Sequence, residues 1–492
     1  MKILVVSSEV VPYAKTGGLA DVAGALPKAL ASLKHDVRVA MPKYASIDDE
    51  KYNLKTEMSE IVVNFQGNII KGAIKKGNFP NTNIPVYFVE NEKFYNREEL
   101  YGENGKDYED NALRFAFFSM ATIWMLKGIR WQPDIIMCND WQAALIPIYL
   151  RNIENLKSDF FYKKIKVLYT THNLAYQGIF PKEMLPKIGL DRSVFTMDKL
   201  EYYDNINLTK GAIIFSDAVS TVSKQYAAEI QTKEFGCGLE GVLVDKAKAI
   251  YGIINGIDYG VWNPAVDTLI PDQYTPEELE GKGKCKSYLQ QTCGLPEDKD
   301  IPLIGIISRL VDQKGFDLIA EAMDELMKSN LQMILLGTGD PKYHKIFEDF
   351  NNKYPQKFKT YLKFDNKLAH EIEAGCDMFL MPSKFEPCGL NQLYSLKYGT
   401  IPIVRSVGGL ADSIEDVTEE SLDKSLATGF VFSYYNSKEL MKTVKRALDI
   451  YNNKKEVWQK IMLTGMQKDF SWNQSAKEYI KIFSNIVGKK TV

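Results

Sequence analysis

A repeated pattern constrains the fold most: a short apolar run is followed by a polar loop and then by apolar residues at helical spacing. It begins with residues 2–8, which precede a glycine-bearing loop and the segment "LADVAGALPKALASL". It returns in "PDIIMCND" before "WQAALIPIYLRN", and in "DAVSTVS" before "KQYAAEIQ". Apolar runs of this length suit strands that are buried on both faces of a parallel sheet. The sequence therefore predicts an α/β fold built from βαβ units.

The pattern occurs in two series. The stretch between them, residues 259–300, contains four prolines and the charged segment "EELEGKGKCK", which is typical of a surface connection. A second α/β series runs from "PLIGIISR" to "TIPIVRS". Because 492 residues exceed what one hydrophobic core supports, we predict two domains, 1–255 and 256–472, and a closing amphipathic helix, 473–492.

Composition and charge exclude several classes of protein. A formal net charge of −2 gives no broad attraction to nucleic acid or to an anionic membrane. The opening "MKILVVSSEV" has no signal-peptide pattern, and no apolar run is long enough to span a bilayer, so we expect a cytoplasmic enzyme. The six cysteines form no C-x-x-C pair and the four histidines no H-E-x-x-H, so we expect reduced thiols and no metal site.

Loops that follow strands are the candidate sites, because ligands of open parallel sheets bind beyond the carboxyl ends of the strands. In "SSEVVPYAKTGGLADV", Gly17 and Gly18 let a ligand approach main-chain N–H groups at a helix start, and Lys15 adds a cation. In "SRLVDQKGFD", the fork of Arg309 and the point charge of Lys314 suit a diphosphate. An ordinary turn with solvated charges fits both loops as well.

A third loop, "PSKFEPCGLNQLYSLKYG", combines an acid with a helix start. Glu386 could accept from sugar hydroxyls, while N–H groups after Cys388 point toward an anion. Alternatively, Glu386 is a first-turn charge favoured by the helix dipole and Cys388 a small buried hydrophobe. In the first domain, "NDWQAAL" and "TTHNLAYQG" follow strands and offer polar groups and the Trp141 ring to a carbohydrate.

Two motifs are misleading. "GCGLEG" matches the dinucleotide-binding G-x-G-x-x-G, yet it follows a helical stretch and no βαβ unit surrounds it. "DKD", with Asp298 and Asp300, matches the metal-binding D-x-D of sugar-nucleotide enzymes, but it lies in a polar run before a strand, where a surface charge run is expected.

Seven motifs in order resemble a known family. "KTGGLADV", "THNLAYQGIF", "TVSKQYAAEI", "NGID", "SRLVDQKG", "EPCGLNQLYSLKYGTIPIVR" and "VGGLADSI" are similar to those of bacterial glycogen synthases and plant starch synthases, over essentially the whole chain. The resemblance implies the GT-B architecture: two Rossmann-like parallel-sheet domains facing a cleft, with acceptor on the first, donor on the second, and the C-terminal helix joined to the first. It also implies transfer of glucose from ADP-glucose to the non-reducing-end 4-OH of an α-1,4-glucan (glycogen), with retention of configuration and without metal or other cofactor.

The resemblance also assigns site residues. Arg309 and Lys314 would stabilise the leaving ADP, and Glu386 would hold glucose hydroxyls. The backbone carbonyl of His172 would face the reacting carbon. The remaining assignments are Lys15, Gly17 and Gly18 at the phosphates; Phe364 at the adenine; Cys388, Gly389, Leu390 and Asn391 elsewhere around the donor; and Asp140, Asn173 and Tyr176 on the sugar and acceptor side.

Three positions depart from the family pattern. Gln142 stands where many relatives have His, and Asn391 where Thr is usual near the phosphate. Phe364 stands where a Tyr is expected beside the adenine, so it keeps a stacking face and loses a hydroxyl. The first two substitutions keep hydrogen-bonding capacity. The third leaves the base preference less firmly predicted.

Other functions remain open at this point. A UDP-glucose-dependent or small-acceptor glycosyltransferase of the same fold is the first alternative. A nicotinamide-dependent oxidoreductase and an inactive glucan-binding protein are the others. The pentapeptide "GGLAD" occurs at 17–21 and again at 408–412. We assign diphosphate contact to the first copy, and either a cleft-wall or a structural role to the second.

Overall fold

The structure, a computed structural model, describes residues 1–103 and 105–488, which divide into two units. Unit 1 contains residues 1–222, 227–256 and the C-terminal helix from Trp472, and unit 2 contains 223–226 and 257–471. The predicted C-terminal helix, 473–492, includes residues 489–492, which lie outside the described residues.

A nine-stranded sheet forms the centre of unit 1. The strands of unit 1 are β1 (Lys2–Val6), β2 (Asp36–Pro42), β3 (Lys55–Phe65), β4 (Asn68–Asn78), β5 (Pro85–Glu90), β6 (Gly102–Glu103), β7 (Lys106–Asp107), β8 (Ile135–Asn139), β9 (Lys166–Thr171), β10 (Ile179–Pro181), β11 (Glu201–Tyr202), β12 (Asn205–Asn207), β13 (Ala218–Thr221) and β14 (Ile250–Gly252). The main sheet has the order β14-β13-β9-β8-β1-β2-β5-β4-β3. Its strands are parallel from β14 to β5, and β4 and β3 extend one edge in antiparallel pairing.

Unit 2 contains a six-stranded sheet that is parallel throughout. Its strands are β15 (Leu303–Ile307), β16 (Gln332–Leu336), β17 (Phe358–Tyr361), β18 (Met378–Met381), β19 (Ile401–Arg405) and β20 (Phe430–Phe432). They are ordered β17-β16-β15-β18-β19-β20, which is the 3-2-1-4-5-6 order of dinucleotide-binding folds. The parallel part of the unit 1 sheet follows the same order and adds a seventh strand.

Helices cover these sheets. In chain order they are α1 (Gly18–Ser32), α2 (Glu92–Tyr95), α3 (Asn111–Gly128), α4 (Leu145–Asn152), α5 (Glu154–Lys157), α6 (Leu208–Phe215), α7 (Lys224–Glu229), α8 (Glu240–Asp245), α9 (Glu280–Thr292), α10 (Phe316–Leu326), α11 (Pro341–Lys353), α12 (Asn366–Gly375), α13 (Asn391–Tyr398), α14 (Gly408–Ser413), α15 (Glu419–Asp423), α16 (Ser437–Asn453), α17 (Lys455–Met466) and α18 (Trp472–Val487). Short 3₁₀ turns lie at Trp141–Ala143, Lys182–Met184, Pro186–Ile188, Arg192–Val194, Ala247–Ala249 and Asp312–Lys314.

The apolar pattern explains both kinds of element. In β1, the residues from Ile3 to Val6 are at most 1% exposed, as expected of a central strand covered on both faces. In α10, Phe316, Ile319 and Met323 recur at helical spacing and are buried in the core of unit 2. The predicted α/β class with parallel sheets is therefore confirmed in each unit.

The strand order also locates the candidate sites. In an open sheet of this order, ligands bind where the connections diverge to opposite sides, beyond the carboxyl ends of the first and fourth strands. These strands are β1 and β8 in unit 1, and β15 and β18 in unit 2, and each pair is hydrogen-bonded. The loops that follow these four strands hold most of the predicted site residues.

Candidate functional site

The loop after β1 leads into α1, whose N-cap is Gly17. Lys15 is exposed, and its Nζ lies 2.7 Å from Asp21 Oδ1 in the first turn of the helix. A Cβ added at Gly17 or Gly18 would meet no atom within 4 Å. The Gly18 N–H has no acceptor among the described residues. The first GGLAD copy thus has an open backbone surface beside a cation, and its contact with a phosphate stays a prediction.

Asp140 directly follows β8 in an unusual backbone conformation, with φ 54° and ψ −177°. Such a conformation costs a non-glycine residue roughly 1–3 kcal/mol and is concentrated at functional sites. Its Oδ1 accepts the His172 N–H at 2.7 Å, and its carboxyl also accepts the Asn173 N–H. Burial raises the pKa of Asp140 to about 7. The side chain therefore links the loop after β8 to the loop after β9.

His172 follows β9 and is held by β8. Its Nε2 lies 2.9 Å from Asn139 Oδ1, and Asn139 Nδ2 donates to the Val6 carbonyl at 3.0 Å. Burial lowers the pKa of the His172 imidazole to about 4, so the ring is neutral at pH 7. The imidazole is therefore a fixed neutral group: Asn139 holds its ring, and Asp140 holds the backbone N–H of His172.

The aromatic side chains near these loops differ in exposure. Trp141 is 9% exposed because its ring packs edge-on against Phe115, with centroids 4.9 Å apart. It does not offer the open aromatic face that the sequence suggested. Tyr176, which is 59% exposed, does.

In unit 2, the loops after β15 and β18 bring an acid and a base together. Lys314 Nζ lies 2.5 Å from Glu386 Oε2, which also accepts the Ser383 hydroxyl at 3.1 Å. The Glu386 side chain is 6% exposed, and its Oε1 accepts no hydrogen bond from the described residues. Arg309 is exposed, and its guanidinium forms no hydrogen bond or ion pair within the described part of the chain. One cation is thus paired with a buried acid and the other is uncommitted.

The start of α13 lies beside this group. Gly389 has φ +72°, and neither its N–H nor that of Leu390 has an acceptor in the described ranges. Asn391 Nδ2 donates to the Ile307 carbonyl at the end of β15, at 2.7 Å, so the amide ties the helix to the strand. Cys388 is 6% exposed. Phe364, in the loop after β17, is 87% exposed, which leaves its ring free to stack.

Across residues 1–103 and 105–488, no cluster of three or more His, Cys, Asp or Glu side chains could hold a metal ion. None of the helices in these ranges is both long and apolar enough to cross a membrane. The six cysteines, all among the described residues, form no disulfide, and Cys237 is exposed. The "GCGLEG" segment, residues 236–241, follows α7 and runs into the first turn of α8, so it does not follow a strand.

Comparison with known proteins identifies the family. Residues 2–245 match the family described as starch synthase catalytic domain, and residues 293–461 match glycosyl transferases group 1. The glycogen synthase of Geotalea daltonii is 45% identical, with 100% of both chains covered. The chain belongs to the glycogen synthase family. The glycogen synthase of Moorella thermoacetica is 44% identical to it, with 100% of this chain and 98% of the Moorella protein covered.

Solved structures agree with this family assignment. The catalytic domain of starch synthase IV from Arabidopsis thaliana, bound to ADP and acarbose, is 34% identical, with a TM-score of 0.90 over 99% of both chains. Sucrose-phosphate synthase from Thermosynechococcus elongatus, at 16% identity and a TM-score of 0.59, shares the fold. The chain is a glucosyltransferase with the GT-B type of fold, as predicted, and the oxidoreductase alternative is wrong.

One buried acid in the β1 loop of this glycogen synthase family member was not predicted from the sequence. Glu9 is 4% exposed, and its carboxylate accepts hydrogen bonds from Thr16, Gly17 and Tyr101. A carboxylate three residues after a buried strand was the available signal. Its partners were not readable from the sequence, because Tyr101 is 92 positions away.

The second GGLAD copy differs from the first in what surrounds it. A Cβ at Gly408 would lie 1.9 Å from the Glu386 carbonyl oxygen, and one at Gly409 2.0 Å from that of Cys388. The Gly409 N–H donates to the Glu386 carbonyl at 3.1 Å. These glycines therefore support the loop that carries Glu386, which is a structural role.

The Asp of the second copy also has a separate role. Asp412 Oδ2 accepts the N–H groups of Lys224, at 2.5 Å, and Gln225, at 3.0 Å, both in the short 223–226 segment of unit 2. In the first copy, the equivalent Asp21 pairs with Lys15 instead. The two pentapeptides are alike in sequence and serve different local structures.

We predict that Gly409→Ala destabilises the synthase by about 3 kcal/mol, because the added methyl overlaps a backbone carbonyl that cannot yield like a side chain. Urea unfolding followed by circular dichroism measures the change. Gly17→Ala is the matched control, since its Cβ enters open space. Equal midpoints for the two variants would contradict the structural role of the second copy.

Proposed function

We propose that this protein is an ADP-glucose:α-1,4-glucan 4-α-glucosyltransferase, a cytoplasmic glycogen synthase. It transfers glucose from ADP-glucose to the non-reducing-end 4-OH of glycogen, with retention of configuration and without a metal ion. The observation that carries the proposal is the group of Arg309, Lys314 and Glu386 on the loops after β15 and β18. Starch synthase IV of Arabidopsis thaliana, described as bound to ADP and acarbose, supports the choice of nucleotide and of a glucan.

The diphosphate is the group that gains charge when the bond to glucose breaks. Arg309 offers a planar fork of donors that none of the described residues engages, and Lys314 adds a point charge. The N–H groups of Gly389 and Leu390 at the start of α13, which have no acceptor in the described part of the chain, add partial positive charge. Donors fixed where charge develops favour the transition state over the ground state. We assign Lys15 and the Gly18 N–H to the same diphosphate.

The sugar requires acceptors for its hydroxyls. Glu386 Oε2 is held by Lys314 and Ser383, which leaves Oε1 to accept from a glucose hydroxyl. His172 is neutral at pH 7, so we assign its backbone carbonyl, rather than an imidazolium, to the reacting carbon. Asn173 and Tyr176 are assigned to the acceptor side, and the exposed ring of Phe364 to the adenine.

A donor and acceptor panel tests this function. With purified protein in EDTA, we expect glucose transfer to glycogen from ADP-glucose with a kcat/KM at least ~10-fold above that from UDP-glucose, because one lost or strained base contact costs about 1.4 kcal/mol. Free glucose and maltose should be poor acceptors beside glycogen. A preference for UDP-glucose, or for a small sugar, would replace the proposal with the alternative glycosyltransferase.

A further inference from the structure

Glu9 is a buried acid that none of the roles above uses. It lies three residues after β1, the strand that pairs with β8 at the centre of the unit 1 sheet. Glu9 is 4% exposed. Its Oε2 accepts the backbone N–H groups of Thr16 and, at 3.1 Å, of Gly17. Its Oε1 accepts the Thr16 hydroxyl and the Tyr101 hydroxyl, both at 2.7 Å. All four donors are uncharged, and three of them belong to one dipeptide of the KTGGLAD loop.

The anchored dipeptide lies between the two groups assigned to the diphosphate. Lys15 precedes Thr16, and Gly18, whose N–H has no acceptor within residues 1–103 and 105–488, follows Gly17. No side chain packs on the glycines, since a Cβ at either one would meet no atom within 4 Å, and the Gly17 carbonyl accepts the Ala20 N–H at 3.3 Å where α1 begins. The carboxylate of Glu9 therefore fixes the middle of a loop whose flanking residues are exposed.

Tyr101 couples this anchor to a second part of unit 1. Its hydroxyl also lies 2.7 Å from the Ser8 hydroxyl, and its ring packs against Phe115 of α3, with centroids 6.1 Å apart. The anchor is thus held from outside the loop, by groups whose own positions are set by packing. This is what a fixed, preorganised loop requires.

We propose that Glu9 is a positioning residue: it fixes Thr16 and Gly17, and thereby sets where Lys15 and the Gly18 N–H meet the diphosphate of the donor. The inference rests on the proposed function. It requires a hydrogen-bond acceptor at position 9 and does not require the negative charge. A glutamine could keep the network, because its oxygen can accept the two N–H groups while its NH₂ donates to the hydroxyls of Thr16 and Tyr101, which can turn to accept.

The test compares Glu9→Ala with Glu9→Gln. We expect Glu9→Ala to raise KM for ADP-glucose roughly tenfold and to weaken binding of ADP, measured by calorimetry, by a similar factor, because the loop loses its fixed position. KM for glycogen should stay within about twofold, and Glu9→Gln should restore most of the loss. Lys15→Ala should raise KM for ADP-glucose by a smaller factor in the Glu9→Ala background than in the wild type, as expected of residues that act through one another.

A matched control separates positioning from folding. Asp217 is another acid of unit 1 that accepts hydrogen bonds, from Arg151, Lys166 and the Val167 N–H, at the amino ends of β9 and β13. Asp217→Ala should lower the melting temperature without raising KM for ADP-glucose. If Glu9→Ala changes only the melting temperature, or if the Lys15 effect is fully additive, the proposal is overturned. If the wild type itself fails to use ADP-glucose, the proposed function is what fails.

Discussion

Replacing Arg309 or Lys314 with Ala is expected to lower kcat at least ~10²-fold, since each cation is assigned about 3 kcal/mol of transition-state stabilisation at the leaving diphosphate. Both substitutions should also weaken the binding of ADP. The measurement is initial-rate glucose transfer from ADP-glucose to glycogen at saturating substrate, with ADP binding measured separately by calorimetry.

The two variants should differ in stability. Arg309 is exposed and unpaired within the described residues, so Arg309→Ala should unfold like the wild type. Lys314 pairs with a Glu386 side chain that is 6% exposed, so Lys314→Ala leaves a buried carboxylate with a single hydroxyl partner. Breaking such a pair costs roughly 3 kcal/mol. If both variants lose activity to a similar degree but only Lys314→Ala loses stability, the loss of activity cannot be attributed to unfolding.

Lys353→Ala is the control for loss of a paired lysine in unit 2. Its Nζ pairs with Asp324 at 2.7 Å on an exposed surface, and it has no role in the proposed site. It should retain wild-type rates and stability, because exposed ion pairs contribute little. Wild-type turnover in Arg309→Ala would overturn its assignment to the leaving group.

The second large effect is expected at Asp140. Asp140→Ala should lower kcat by about 10²-fold, because the backbone N–H groups of His172 and Asn173 lose their common acceptor. A displacement of about 1 Å at a reacting centre can cost this much. Stopped-time transfer assays over a range of ADP-glucose concentrations measure kcat separately from KM.

Asp140→Asn distinguishes hydrogen bonding from charge. The amide keeps one acceptor oxygen, and Asn has the shape of Asp, so the substitution leaves the backbone conformation at this position, φ 54° and ψ −177°, no more strained than before. If the role of Asp140 is to hold the loop after β9, Asp140→Asn should retain at least tenfold more activity than Asp140→Ala. A tenfold difference corresponds to about 1.4 kcal/mol of activation free energy. Equal inactivity of both variants would show that the carboxylate itself is needed.

Stability should also depend on pH through Asp140. Burial raises its folded-state pKa to about 7, above its ordinary value of 3.8. The folded protein therefore holds the proton more tightly than the unfolded chain, so the contribution of Asp140 to stability falls as pH rises from about 4 to about 7.

The parallel strands and the loops that follow them could be predicted from the sequence. Strands such as β1 are largely apolar and precede glycine-bearing loops, and strand order then places those loops at one edge. The antiparallel edge formed by β3 and β4 was not predicted. Only the end of β3 alternates in burial, at Ile61, Val63 and Phe65, while the rest of the strand is largely polar.

The contacts between site residues were harder to predict from the sequence than the strands and loops. Lys314 and Glu386 are 72 positions apart, and their contact arises because β15 and β18 are neighbours in the sheet. The sequence presented each as a separate ligand for the donor. Likewise, two identical GGLAD segments could not be distinguished until the atoms around Gly17 and Gly409 were known. Local sequence determines which groups a loop carries, and the fold determines which groups they meet.

Incorporation of radiolabelled glucose from ADP-glucose into glycogen, followed by digestion of the product with β-amylase, tests the central claim most directly. β-Amylase removes maltose units from non-reducing ends through α-1,4 linkages. The proposal predicts that the purified protein incorporates label in EDTA and that β-amylase releases it. No incorporation from ADP-glucose, or label that resists β-amylase, would contradict an ADP-glucose-dependent, retaining α-1,4-glucan synthase.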